Sequence, residues 1–140
     1  DHDQIERELL EAVELFSLQD IAYDKRHGSA LISHIQAELG EERVVGVSVG
    51  SMARMAGPVR EIERLVLEKK LRHGNHPVLR WMASNVAARE DSAGDRRFDK
   101  DASADRIEGM TALALAIGQA YIAAAKPPKE EWDGTVLRLS

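Results

Sequence analysis

Two spacings of apolar residues alternate along this chain, and the alternation predicts helices interleaved with short strands. Ile5, Leu9, Val13 and Phe16 recur at the interval of a single helix face. Asp3 and Glu6 have the spacing of a capping box, so the first helix is predicted over residues 4–16. The run 20–23 is short and apolar and suits a strand. Leu31, Ile32, Ile35 and Leu39 return to helical spacing over residues 29–39, and Gly40 stops that helix. Val44, Val45, Val47 and Val49 supply a second strand, because β-branched side chains pack well on a pleated surface. Strand, helix and strand in so short a stretch form a βαβ unit, whose two strands are expected to be parallel with a right-handed crossover.

Beyond the second strand, residues 51–69 are helical in pattern but interrupted at Gly57-Pro58. Proline suits the first turn of a helix, where its missing N–H costs nothing, so a short helix followed by a longer one is predicted. The longer one turns Val59, Ile62, Leu65 and Val66 inward. Pro77 starts a further helix through Leu79, Trp81 and Met82. Within residues 86–100 the turn signal DSAGD separates two short strand candidates, which predicts an exposed hairpin. A last helix over residues 106–124 places Ile107, Met110, Ala114, Ile117 and Tyr121 on one face. Its small residues Ala112, Ala114, Ala116, Gly118 and Ala120 allow close packing against the sheet. Pro127-Pro128 ends it, and residues 126–140 are predicted to be a loose tail.

With 140 residues and 44% hydrophobic side chains, the chain is sized for one domain with its own core. A formal net charge of -5 argues against binding nucleic acid through bulk electrostatics, so any such contact has to be local. The absence of cysteine excludes disulfides, thiolate zinc sites and cysteine nucleophiles. No G-x-x-x-x-G-K-[ST] loop is present to cradle nucleotide phosphates. No apolar run approaches the roughly 20 residues needed to cross a bilayer, and the acidic start DHDQIERE is unlike a signal peptide. A soluble, cytoplasmic protein with no membrane partner is expected.

The candidate chemistry is therefore acidic. Asp24 follows Ile21-Ala22-Tyr23 at the carboxyl end of a predicted strand, where open α/β sheets bind ligands. An Asp there can equally make a turn or cap the next helix, and on the residues alone that role is the commoner. Asp105 and Glu108 have capping-box spacing, with Glu108 folded back on the backbone. Lys25, Arg26 and His27 either touch a phosphate or form a solvated loop. His73 and His76 are three residues apart like a metal pair, but Gly74 and Pro77 mark their segment as a turn. Met52 and Met55 suit core filling. Glu61 and Glu63 suit a charged helix face, with Arg64 and Lys69 as weak partners of Glu61.

Three blocks carry a resemblance: IAYDKRHGSALISHIQ from Ile21 to Gln36, EIERLVLEKKLRHGNHPVLRWMASN from Glu61 to Asn85, and SADRIEGMTALALAIG from Ser103 to Gly118. In order and spacing they resemble the C-terminal nuclease portion of the large subunit of tailed-phage terminases, from about Asp1 to Ala125. The resemblance implies an α/β, partial RNase H-like domain. A short, mainly parallel sheet is flanked by helices and joined by a small hairpin, and the family's first strands, with their metal-binding Asp, have no counterpart here. It implies that Asp24 is the second acidic ligand of a Mg²⁺ or Mn²⁺ site of two-metal type. Glu108 in RIEG then stands where the family has the Asp of a K-I-D-G-like motif, with Asp105 in reserve. This is a departure, because the extra methylene of Glu moves the carboxylate by roughly an ångström, a shift that catalytic geometry tolerates poorly. Arg26 and His27 depart as well, since the family has an aromatic or small residue in that stretch. The block from His73 to Trp81 is implied to be structural packing beside the site, with Asn85 near it.

The implied activity is metal-dependent cutting of double-stranded DNA during genome packaging, in the cytoplasm of an infected or lysogenic bacterium. The implied partners are double-stranded DNA, a terminase small subunit and the portal. With one ligand lacking a candidate, this chain alone is expected to cleave DNA weakly or not at all. The alternative is a non-catalytic remnant that keeps the scaffold and docks protein. In either case an exposed sheet edge would indicate sequence outside the chain or a homodimer covering that edge.

Overall fold

The computed structural model describes residues 1–28 and 30–126. The first helix, α1 (His2–Leu15), starts earlier than the capping-box spacing predicted, because Asp1 is its N-cap and accepts a hydrogen bond from the Asp3 backbone N–H at 3.2 Å. It buries no residue, and Phe16, expected on the inward face, is 68% exposed. Its neighbour is α2 (Ala30–Leu39). That helix crosses between β1 (Ile21–Asp24) and β2 (Val44–Val47), a parallel pair in which Ile21 lies opposite Val44 and Asp24 opposite Val47. The βαβ expectation is met. Gly40 ends α2 with φ of +94°, a conformation that side-chain-bearing residues rarely adopt. Arg43 then donates to the carbonyls of Gln19 and Leu18, tying the entrances of the two strands together.

The expected break at Gly57-Pro58 does not occur. One continuous helix, α3 (Met52–Leu67), carries Pro58 in its interior. Proline there removes a backbone hydrogen bond to the carbonyl of Arg54, a cost of about 3 kcal/mol in an isolated helix. Packing against the last helix, α5 (Glu108–Ala125), accompanies it: a Cβ at Gly118 would lie 2.9 Å from the Pro58 ring. The two helices thus make their close approach where a proline ring meets a glycine, so Gly118 serves packing against a helix and not, as expected, against the sheet. Val59 and Ile62 are buried as the stripe predicts, but Val66 is 55% exposed.

Between these helices lie α4 (Pro77–Asn85) and an antiparallel hairpin of β3 (Ala87–Glu90) and β4 (Arg96–Asp99). His76 caps α4, its Nδ1 accepting from the Val78 N–H, so this histidine is structural. The predicted turn is built by Asp91, whose Oδ1 accepts from the N–H groups of Ala93 and Asp95, while Gly94 takes φ of +82°. The hairpin is less exposed than expected: β4 packs along α3, with Arg96 paired to Glu63 and Arg60 to Asp95.

The core lies between α3 and α5, where Met55, Ile62, Met110, Ala114 and Leu115 are buried and Ala22, Val47, Leu79 and Phe98 pack on them. Ile35, Val59 and Ile107 are fully buried, each contributing about 1.5–3 kcal/mol. On α5 the inward face includes Leu115, while Tyr121 is 54% exposed and lies beside Glu61 and Arg64 at the surface. Glu61 bonds Arg64 as predicted, and Lys70 rather than Lys69 joins the network through Glu68. Among the described residues β1 and β2 form a two-stranded sheet, so each has one edge without a strand partner, and no helix is long and apolar enough to cross a membrane. The predicted tail lies outside the described residues from position 127 onward.

Candidate active site

Asp24 and Glu108 line one cleft of about 460 Å³, formed where the end of β1, the start of α5 and the hairpin meet. The pleat brings Asp24 there. Alternate side chains of a strand share a face, and Ala22, two residues before Asp24, packs on the core beneath α5. Glu108 is the first residue of α5, and its position is fixed from two sides. The preceding Ile107 is 2% exposed and anchors the helix start, and the side-chain amide of Asn85 donates to the Arg106 carbonyl at 3.1 Å. Asn85 therefore acts as a clamp at the end of α4, beside the cleft.

The remaining sequence candidates divide. Arg26 and His27 line the same cleft, whereas Lys25 borders a separate groove beside Gly46. Asp105 is not among the residues that line the cleft, and its carboxylate accepts from the Arg106 N–H at 2.8 Å. The capping box expected of Asp105 and Glu108 does not form, because Ile107 occupies the cap position and no side chain caps α5. His73 accepts from the Asn75 N–H, so the histidine pair is a turn, as its glycine and proline indicate.

The hairpin adds cleft residues that the sequence reading missed: Arg89, Arg97, Asp99, Lys100 and Asp101. The signal for them was the two-residue alternation across the DSAGD turn, which puts Arg89, Arg97 and Asp99 on one face. Asp99 is 5% exposed and fully engaged. Its Oδ1 accepts from the N–H groups of Asp101 and Ala102, and Oδ2 lies 2.9 Å from Arg89 Nε. It shapes the loop that leads from the hairpin to Glu108.

Each of the other bonded acids has its own cation. Arg26 grips Asp24 with Nε and Nη2 at 3.0–3.3 Å, while its backbone N–H also donates to the same carboxylate. Partial burial pushes the Asp24 carboxyl up, but the Arg26 hydrogen bonds and the Arg26 and His27 charges outweigh it and hold Asp24 below the usual aspartate range. Asp99 behaves similarly, with burial opposed by the Ala102 N–H, the Arg89 charge and the Asp101 N–H. Glu108 is lowered chiefly by the Lys100 ammonium, 2.9 Å away. All three carboxylates are thus ionised at neutral pH.

Ionised, oxygen-donating and partly open to solvent, Asp24 and Glu108 fit a hard divalent cation such as Mg²⁺ or Mn²⁺. The set is short, however. Among the described residues no group of three or more His, Cys, Asp or Glu side chains is arranged to hold a metal.

A parallel strand pair with an acid at its carboxyl end, covered by a helix whose first residue brings a second acid into the same cleft, makes this a mixed α/β domain consistent with a partial RNase H-like fold. The family described as "Terminase large subunit, endonuclease domain" matches residues 1–124, and this chain belongs to that family. It is 40% identical over 75 residues to the terminase large subunit of Enterobacteria phage HK97, covering 53% of this chain and 15% of that protein. It is 24% identical over 98 residues to protein YmfN of Escherichia coli (strain K12), covering 68% of this chain and 21% of that protein. The crystal structure of the HK97 bacteriophage large terminase superposes with a TM-score of 0.73 at 28% identity, over 85% of this chain and 25% of that one. The chain thus spans a quarter or less of the length of these relatives.

Proposed function

We propose that this chain supplies two carboxylate ligands of a divalent-metal endonuclease centre that cuts double-stranded DNA during phage genome packaging. The observation that carries the proposal is the cleft shared by Asp24 and Glu108, which come from opposite ends of the sequence. Asp24 and Glu108 would hold Mg²⁺ or Mn²⁺, with Asp105 the nearest further carboxylate in sequence. A divalent ion bound there lowers the pKa of water toward neutrality and stabilises charge on a phosphoryl oxygen. The residues of the chain position the substrate. Arg26 and His27 at the cleft would meet the entering phosphate, with Lys25, next to them in sequence, facing the neighbouring groove; Ile107 adds a buried apolar lining. Two ligands are fewer than a two-metal centre uses, so the isolated chain cleaves weakly or not at all. The partners we propose for the wider assembly are a terminase small subunit and the portal, with the edges of the β1–β2 pair that have no strand partner among the described residues as the place for a further strand or a second copy of the chain.

The competing reading is a nuclease-derived docking module without catalysis. It is favoured by one observation, the pairing of Asp24 with Arg26 and of Glu108 with Lys100. Titration of Mn²⁺ and Mg²⁺ followed by NMR of backbone amides and carboxylates separates the two. Saturable shifts at both acids, lost in Asp24→Asn and in Glu108→Gln, support the nuclease centre; a flat titration in the wild-type chain leaves the docking module.

A further inference from the structure

Arg89 and Arg97 lie directly opposite each other in the hairpin register, on the face that lines the cleft. Like charges in that relation destabilise a sheet, so a cross-strand arginine pair needs compensating anions. One is present. Asp99, diagonal to Arg89 on the same face, holds the Arg89 guanidinium at 2.9 Å and spends its other oxygen on the loop N–H groups. Nothing equivalent serves Arg97. The residue is half-buried, its guanidinium gives one N–H to the Phe98 carbonyl at 3.2 Å, and it has no carboxylate partner among the described residues. The other permanent cations of the cleft, Arg26, Arg89 and Lys100, are each paired.

We infer that Arg97, backed by Arg89, forms a seat for a phosphodiester anion at the mouth of the cleft. Its ligand, a backbone phosphate of DNA, rests on the nuclease reading given above. A guanidinium suits this ligand because its planar fork gives two parallel N–H groups to two phosphate oxygens. The position suits it as well, since β4 is held on α3 by the Arg96–Glu63 and Arg60–Asp95 pairs and presents Arg97 from a supported strand. The seat recognises backbone and not bases, so it positions the duplex without reading its sequence.

The test compares the wild-type chain with Arg97→Gln, Arg97→Lys and, as a control away from the cleft, Arg72→Gln. Anisotropy of a short dye-labelled duplex is measured in EDTA across a salt series. Arg97→Gln is expected to weaken binding about tenfold and to lower the slope of log affinity against log salt by about one. Arg97→Lys keeps the slope and recovers part of the affinity, and Arg72→Gln changes neither. The melting temperature of Arg97→Gln stays level or rises, because a like-charge pair is relieved. Unchanged DNA binding in Arg97→Gln, no binding by wild type at low salt, or a lowered melting temperature each overturns the seat. Titration of inorganic phosphate, followed at the Arg97 side-chain N–H, distinguishes the ligand source. Saturation by free phosphate together with unchanged duplex affinity assigns the arginine to a phosphate monoester and overturns the DNA contact. The Mn²⁺ titration is independent of all this: a flat titration with an intact Arg97 effect removes the metal centre and leaves the seat, and the reverse removes the seat alone.

Discussion

Replacing Gly118 by Ala is expected to destabilise this fold, although the same change in an open helix stabilises it. Alanine in a helix interior is favoured over glycine by about 0.5–1 kcal/mol. At position 118 the new Cβ would sit 2.9 Å from Cγ of Pro58. The obstacle is a pyrrolidine ring fused to the backbone of α3, so no rotamer change relieves it and the helices themselves have to part. Overpacking of that kind costs about 1–3 kcal/mol, leaving a net loss of roughly 0.5–2 kcal/mol. Pro58→Ala removes the ring and restores an N–H for the Arg54 carbonyl, while a residue Cβ at 58 stays in ordinary contact at 3.9 Å. In that background Gly118→Ala is expected to become neutral or stabilising, giving a coupling of about 1–3 kcal/mol, the overpacking cost itself, in the double-mutant cycle. Urea denaturation of the four proteins, followed by circular dichroism, measures all the terms. If Gly118→Ala stabilises by the same amount with and without Pro58, the close approach of α3 and α5 at this point is wrong.

Asp99→Ala is expected to lower the urea midpoint, because it strands the loop N–H groups of Asp101 and Ala102 at a site only 5% exposed; an unchanged midpoint would show that the loop holds without the carboxylate. Arg26→Gln is expected to tighten Mn²⁺ binding about 2–5-fold in a calorimetric titration, since it removes a cation that competes for Asp24; weaker binding would instead give Arg26 a role in holding the ion. Glu61 is held down to about 2 by the Arg64 guanidinium and then by Tyr121. Its ionised form is thus favoured by folding, and the stability it contributes is present above the ordinary glutamate value of 4.5 and is lost as pH falls toward about 2. The difference in melting temperature between wild type and Glu61→Gln should be present at neutral pH and should close over that interval. A constant difference would show that packing, not charge, sets it.

Local patterns carried the βαβ unit because its signals are local: β-branched runs for β1 and β2, and a glycine that ends α2. The one-helix nature of α3 was not legible, because a proline's intrinsic cost is a local property and the glycine it packs against lies on another helix. The inward face of α5 was half legible for a related reason. Met110 and Ala114 follow the helical period, but the face then turns toward Leu115, while Tyr121 leaves it for Glu61 and Arg64. At the candidate site, residue type and strand position favour a cap over a ligand at Asp24, and its carboxylate does accept the Arg26 N–H as a cap; the ligand reading of Asp24 and of Glu108 came from the family pattern. Their common cleft depends on where α5 begins, which buried Ile107 and the Asn85 clamp decide. The contribution of the hairpin was hidden because a turn signal gives a strand pair without saying which face meets the rest of the molecule.

If the cleft holds a metal and DNA as proposed, its charges would couple the two. Asp24, Asp99, Asp101 and Glu108 stand against Arg26, Arg89, Arg97 and Lys100, so the cleft is balanced before anything binds. On the proposed reading, a divalent ion taken up by Asp24 and Glu108 would compete with Arg26 and Lys100 for the same oxygens, leaving the cleft with an excess of positive charge and two released cations. A phosphate would restore the balance, and Arg97 has no carboxylate partner among the described residues to compete for it. Metal and DNA should therefore bind with positive coupling, each raising the affinity of the other by the same factor, as linkage requires. A Mn²⁺ titration repeated with saturating duplex tests this in the Glu108→Gln protein as well as in wild type. Equal Mn²⁺ affinity with and without DNA in the wild-type chain would mean that the paired cations stay on their carboxylates, and that the cleft keeps its charges for structure.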